Sequence, residues 1–255
     1  MTLQVENLNF SYDSRPVLQD IRMQARPGEI TALIGPNAAG KSTFLKCLCG
    51  ILKPEGKCFL NGKEMRSYKK EMLSRYISYL PQETSAQAVL TVFEVVLLGR
   101  LHSLSWRISN KDRSITLDIL QELGLEELAL RYINELSGGQ KQTVFIAQAL
   151  IKEPEILLLD EPTNSLDLQH QLEIFELIKD LTVKRKITTI IALHDLNMAA
   201  KYADNFVILR SGEIYSSGRP EDVLTDKMLM VVYRVNARIR VDDGIFQVTP
   251  ISSIR

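Results

Sequence analysis

The run Gly35-Pro36-Asn37-Ala38-Ala39-Gly40-Lys41-Ser42-Thr43 constrains the fold of this chain more than any other feature. Two glycines, a lysine and a hydroxyl residue at this spacing match a phosphate-binding loop. Such a loop wraps so that successive backbone N–H groups converge on phosphate oxygens. It therefore needs a strand feeding it and a helix leaving it. ITALIG, ending at Gly35, reads as a buried strand, and STFLKCLCGIL from Ser42 has helical spacing. This helix is expected to stop at Gly56, after Pro54. Its start near Lys41 adds a positive dipole end to the cradle. Lys41 is placed to reach β- and γ-phosphates, and the Ser42 hydroxyl to ligate Mg²⁺.

The remaining chain fits an α/β core. LQVENLNFSY and VLQDIRMQA read as N-terminal strands, and CFLNGKEM as strand, Asn-Gly turn and continuation. LTVFEVVLLGRL, SITLDILQELGL and LSGGQKQTVFIAQALI carry helix-period apolar positions. ILLLD, ITTIIAL and FVILR then alternate with helical stretches, which implies a mostly parallel, wrapped sheet. The expected division is residues 1–85 and 153–225 as the α/β core, 86–152 as an inserted helical subdomain, and 226–255 as a short strand extension with a turn at Asp243-Gly244.

Ligands of open α/β sheets bind beyond the carboxyl ends of strands. Asp160 and Glu161 follow the buried-strand run Ile156–Leu159, so Asp160 is a candidate Mg²⁺ ligand and Glu161 is placed to polarise an attacking water. Taken alone, either acid also suits a helix N-cap. His194 ends ITTIIAL and points at the same place, and Gln82 after YISYL is a candidate metal and water ligand. Tyr12 either stacks on an adenine ring or packs at a strand end.

Leu136-Ser137-Gly138-Gly139-Gln140 precedes a further helix. Ser137 is a good N-cap, and the glycines permit close backbone approach to a ligand. One nucleotide does not need two phosphate-binding helix ends from one chain. A symmetric pair, with the loop of one copy facing the Ser-Gly-Gly helix of the other, uses both.

Bulk properties exclude several classes. The chain of 255 residues is 45% hydrophobic, and its 31 basic residues balance 31 acidic ones, without the basic excess of a dedicated nucleic-acid binder. Three cysteines, Cys47, Cys49 and Cys58, make no disulfide framework or zinc set and suit a reducing compartment. No leader-like start and no uncharged apolar run near 18 residues are seen, so a soluble chain that docks onto other subunits is expected.

These motifs, in this order over roughly residues 3–225, resemble the ATP-binding subunit of an ABC (ATP-binding-cassette) transporter. The resemblance implies a P-loop NTPase core, RecA-like with N-terminal antiparallel strands, and ATP with Mg²⁺ as cofactors. It implies that Glu161 is the catalytic base, His194 the γ-phosphate switch and Gln82 the link between metal and permease. It makes Ser165-Leu166-Asp167 a loop across the dimer interface, with Asp167 against the opposite phosphate loop. LTVFEVVLLGRLHSL, LDLQHQLEIFELI and LHDLNMAAKYADNFVILRSGEI are similar to importers of iron-siderophores, haem and cobalamin. The partners so implied are a second copy, integral membrane permease subunits and, indirectly, a solute-binding protein, at the cytoplasmic face of the inner membrane and without nucleic acid.

The sequence also departs from that pattern. Ala38 replaces a usual glycine and is expected to tolerate its Cβ at negative φ. Lys141, Thr143 and Gln148 stand where arginines are common, and only Lys141 keeps the charge. Phe93, Val96 and Leu97, within the permease-facing stretch 84–110, are either apolar docking contacts or core. The alternatives to a transporter subunit are a soluble ABC ATPase acting on nucleic acid or ribosomes, and a non-catalytic regulatory module. Intact Glu161 and His194 argue against the second.

Overall fold

The computed structural model describes residues 1–82, 89–101, 108–164, 166–242 and 244–254. A six-stranded sheet forms the centre, in the order β10 (Glu213–Gly218), β9 (Asn205–Arg210), β3 (Ile30–Ile34), β8 (Thr188–Leu193), β7 (Ile156–Asp160) and β6 (Ile77–Leu80). The strands from β9 to β6 are mutually parallel, and β10 pairs antiparallel at one edge. The parallel strands therefore present their carboxyl ends along one rim.

Strand composition follows from burial on both faces. Ile156 and Leu158 join the core on one face of the sheet, and Leu157 and Leu159 join the core on the other. A period-2 strand covered on both sides must be apolar throughout, which explains the ILLL run. One face is covered by α1 (Lys41–Leu48) and by a second sheet of β1 (Leu3–Tyr12), β2 (Arg15–Ala25), β4 (Glu55–Leu60) and β5 (Lys63–Glu64). Asn61 and Gly62, at φ 48° and 78°, make the tight β4–β5 turn. The short helix α2 (Lys70–Tyr76) leads into β6.

The other face packs against α3 (Val92–Leu98), α4 (Asn110–Glu122), α5 (Gly138–Leu150), α6 (Leu168–Arg185) and α7 (Leu196–Tyr202). Reciprocal caps define the starts of three of these helices: Thr91 with Glu94, Ser109 with Asp112, and Ser137 with Gln140. Val96 is buried in this core, Phe93 is half-buried against it, and Leu97 is buried as well, so burial corrects the docking alternative for Val96 and Leu97. Within the docking stretch, 84–88 and 102–107 lie outside the described residues.

Two boundaries differ from expectation. Helix α1 ends at Leu48, not near Gly56, because Gly50 takes φ 79° and turns the chain, while Gly56 sits inside β4. Helix α8 (Pro220–Val223) follows β10, and the 226–255 segment, expected as strands, opens instead on helix α9 (Asp226–Met228) and a wide π-type turn at Leu229–Tyr233. Leu229 and Val232 bury there at a spacing that suits a helix and not a strand. A hairpin of β11 (Val235–Asp242) and β12 (Ile245–Ser253) follows. It is fastened to α7 by the Asn197 amide, which donates to the Val248 carbonyl at 3.3 Å and accepts from the Val248 N–H at 2.7 Å. Among the described residues, no helix is long and apolar enough to cross a membrane.

Candidate functional site

The phosphate-binding loop joins β3 to α1 at the carboxyl rim of the sheet. Its first glycine is obligatory: a Cβ on Gly35 would lie 2.2 Å from the Leu209 carbonyl oxygen. Gly40 has φ 105° and precedes α1 with no side chain capping the helix start. The first N–H groups of α1 are thus left without a capping side chain, as an anion site requires. Ala38 has φ 61°, which corrects the expectation of negative φ. Turning the loop inward requires a left-handed residue there, and Ala accepts it at a steric cost of roughly 1–2 kcal/mol.

Lys41 is only 6% exposed. Its ammonium donates to the Gly35 carbonyl at 2.8 Å and to the Pro36 carbonyl at 3.4 Å. Burial pulls its pKa below the ordinary lysine value, against the opposing attraction of Glu161 and Asp160. A buried cation held by backbone carbonyls is a poor arrangement on its own and a good one for an incoming polyphosphate.

Asp160 ends β7 and is 2% exposed. Each carboxylate oxygen has its own donor: Ser42 Oγ to Oδ1 at 3.0 Å, and Tyr79 OH to Oδ2 at 3.2 Å. Burial first, and then Asp160 itself, push the Tyr79 phenol well above its ordinary range, so it stays a donor. Glu161 adopts φ 49°, a left-handed conformation, with its N–H bonded to the Ala192 carbonyl at 3.1 Å. Strain of this kind on a non-glycine residue is concentrated at functional sites. The Glu161 carboxylate accepts from Gln82 Nε2 at 3.0 Å, and His194 Nδ1 lies 3.7 Å from the same oxygen.

A cleft of about 810 Å³ opens over these groups, lined by Val17, residues 37–43, Gln82, Glu161, Asn164 and His194. That volume is in the range of small-molecule sites. The donor set suits a hard divalent cation, since Ser42 and Asp160 offer oxygen alone. No cluster of three or more His, Cys, Asp or Glu exists among the described residues, so a cation here would not sit in an all-protein cage. Few protein oxygens completed by phosphates is the usual manner of Mg²⁺.

The remaining candidates lie elsewhere. Tyr12 is 44% exposed and packs edge-on against Phe10 at 4.8 Å between ring centroids, outside the cleft lining. Ser137–Gln140 and Asp167 do not line the cleft either. Ser137 accepts from the Gln140 N–H at 3.3 Å, and Gln140 Oε1 accepts from the Ser137 N–H at 3.0 Å. Gly139 presses on the His170 ring so closely that a Cβ would come within 2.2 Å of it. His170 in turn holds Asp167, through its N–H at 3.0 Å and Nδ1 at 2.7 Å, and these bonds depress the Asp167 pKa. The Ser-Gly-Gly helix start and Asp167 are therefore joined through His170 and lie outside the cleft over this chain's own phosphate loop. Ser165 lies outside the described residues. Val17 and Asn164 at the cleft, and Tyr79 bonded to Asp160, carry no motif signal, because only the folded chain brings them there.

Comparison with known proteins places these features in a family. A family model described as ABC transporter matches residues 18–164. An uncharacterised ABC transporter ATP-binding protein of Methanocaldococcus jannaschii is 43% identical over 252 residues, covering 98% of each chain. The iron(3+)-hydroxamate import ATP-binding protein of Bacillus subtilis is 39% identical, covering 94% of this chain and 91% of the relative. A solved inward-facing metal-chelate type ABC transporter superposes with a TM-score of 0.85 at 28% identity, covering 100% of this chain and 98% of that one.

Proposed function

The chain belongs to the ABC transporter family, and from that membership we propose that it powers import of a metal chelate, an iron-siderophore or haem before cobalamin, through a partner permease. It is an ATPase subunit coupled to transport. The cargo reading is supported by the hydroxamate-import relative and the metal-chelate transporter, both similar along nearly the whole chain.

In this reading the phosphate loop and Lys41 hold the β- and γ-phosphates. Glu161 takes the proton of the attacking water, with Gln82 and His194 both beside its Oε2. His194 with Lys41 stabilises negative charge spreading over the γ-phosphoryl group. Positioning and fixed charge carry most of the acceleration in phosphoryl transfer. Ser42 and Asp160 are the residues to hold Mg²⁺, which when bound would neutralise phosphate charge.

The Ser137 helix start completes the site of a second copy, with Asp167 crossing the interface. Its separation from the cleft of its own chain carries this part of the reading. Residues 86–152 form the signature subdomain that meets the permease beside Gln82, and a solute-binding protein delivers cargo on the far side of the membrane. The subunit works at the cytoplasmic membrane face. The convergence of Gln82, Glu161 and His194 over the phosphate loop is the observation that carries the catalytic assignment. Its test is nucleotide binding and hydrolysis in Glu161→Gln. The transport assignment is tested by co-purification of the tagged subunit with a polytopic membrane protein.

A further inference from the structure

We propose that Tyr79 is a positioning residue that fixes the Asp160 carboxylate for a divalent cation and ties that carboxylate to strand β6. The proposal rests on the metal-holding role given above to Ser42 and Asp160.

Asp160 is almost completely enclosed at the end of a central strand. A buried carboxylate is tolerable only when its oxygens are bonded, and it is fixed in rotation only when both are. Ser42 Oγ bonds Oδ1 and Tyr79 OH bonds Oδ2. The Ser42 bond is compatible with metal binding, since a hydroxyl can donate its proton to Asp160 while offering a lone pair to a cation. It nevertheless comes from the phosphate loop, which engages the nucleotide. Tyr79 comes from the other side, from a strand that makes no part of that loop. It is therefore the nucleotide-independent restraint on the carboxylate.

The position of Tyr79 gives this restraint a second consequence. Strand β6 lies at the edge of the central sheet, next to β7, with Tyr79 opposite Leu158. Three residues further on, Gln82 donates to Glu161. The edge strand and the residues just after it thus hold both members of the acid pair, Asp160 through the Tyr79 phenol and Glu161 through the Gln82 amide. A displacement of β6 along β7 loosens both bonds together. Cation affinity is then linked to whatever moves the segment after β6, with no separate transmitting element.

The phenyl body of Tyr79 packs against the apolar core beside α1. Tyr79→Phe keeps that packing and removes only the donor. Wild type and Tyr79→Phe are titrated with Mn²⁺ in the presence of a non-hydrolysable ATP analogue, and free Mn²⁺ is read by electron paramagnetic resonance. Mn²⁺ serves because it prefers the same hard oxygen donors. The expected result is Mn²⁺ affinity about tenfold weaker in the variant, the scale of one lost bond to a charged group. Analogue affinity in EDTA should stay within about twofold, as a phosphate-side contact is untouched. At saturating Mg²⁺ the kcat should recover towards wild type while the Mg²⁺ requirement stays raised.

Equal Mn²⁺ affinity in the two proteins overturns the proposal, including when the variant melts at a lower temperature, since Tyr79 would then only support the fold. Asp160→Asn separates this failure from failure of the metal assignment. If Asp160→Asn loses Mn²⁺ and Tyr79→Phe does not, Tyr79 alone is wrong. If neither changes Mn²⁺ affinity, the metal assignment falls and the Tyr79 role with it.

Discussion

Gln82 Nε2 and Glu161 Oε2 stand 3.0 Å apart, so an amide from the edge of the sheet holds the carboxylate that faces the cleft. The bond aims Glu161 while leaving its second oxygen open to a water. Replacing the carboxylate by an amide keeps the shape and removes the base. Glu161→Gln is expected to lower steady-state ATP hydrolysis by about 10²–10⁴-fold, the usual worth of general-base catalysis. ATP affinity should stay within about threefold, because the phosphate contacts are elsewhere. Phosphate-release and nucleotide-binding assays check both, and substantial residual turnover would remove Glu161 from the base role.

The candidate site was legible where chemistry leaves a local mark. Gly35, Gly40 and Lys41 follow from loop geometry, Asp160 and Glu161 from an apolar strand ending in acids, and Ser137 from capping. Tyr79 was not legible, because its partner lies 81 positions away and its reach depends on β6 pairing with β7. Ala38 was misread because sequence does not report φ, and the loop imposes a left-handed value on whatever residue stands there. The helix end at Gly50 was hidden because Cys49-Gly50-Ile51-Leu52 keeps an apolar pattern past the turn. The nucleic-acid alternative finds no support among the relatives, which are transporter components.

Lys41→Met separates binding from folding. The variant should lose about 10- to 100-fold in ATP affinity, as expected for losing a charged contact to phosphate. Its nucleotide-free stability should hold or rise, since a buried charge is removed. The sign in pH follows from the lowered folded-state pKa of Lys41. The unfolded chain keeps this proton when the folded chain has lost it, so stability rises with pH between the lowered value and the ordinary lysine value of 10.5. Below that window the penalty is fully present. The excess of the Lys41→Met denaturant midpoint over the wild-type one should shrink as pH rises across this range.

Ala38→Gly should stabilise the protein. The left-handed φ of 61° costs an alanine roughly 1–2 kcal/mol, and glycine returns part of the gain through unfolded-state entropy. The net expectation is about 0.5–1 kcal/mol in denaturant unfolding. A loss of stability would show that the Ala38 methyl makes a compensating contact.

Asn197→Ala strips two partners from the Val248 backbone and frees the hairpin edge from α7. A cost of about 1–3 kcal/mol is expected for leaving such groups unpaired. Hydrogen exchange should quicken first in residues 245–253. Protection unchanged in that strand would mean the hairpin is held by its buried Val248 side chain alone.

The proposed sharing of one site between two copies is tested most directly by mass in solution. Glu161→Gln saturated with ATP should sediment at twice the mass of one chain and return to the monomer when ATP is removed. Adding Gly138→Asp places an acid at the start of α5, where the nearest atom to a new Cβ is a Leu166 methyl at 3.3 Å and the helix dipole favours negative charge. That double variant should fold, bind ATP and stay monomeric, because the new carboxylate repels the partner's γ-phosphate. A Glu161→Gln protein that remains a monomer when saturated with ATP, or a double variant that pairs as readily as the single one, would contradict the account.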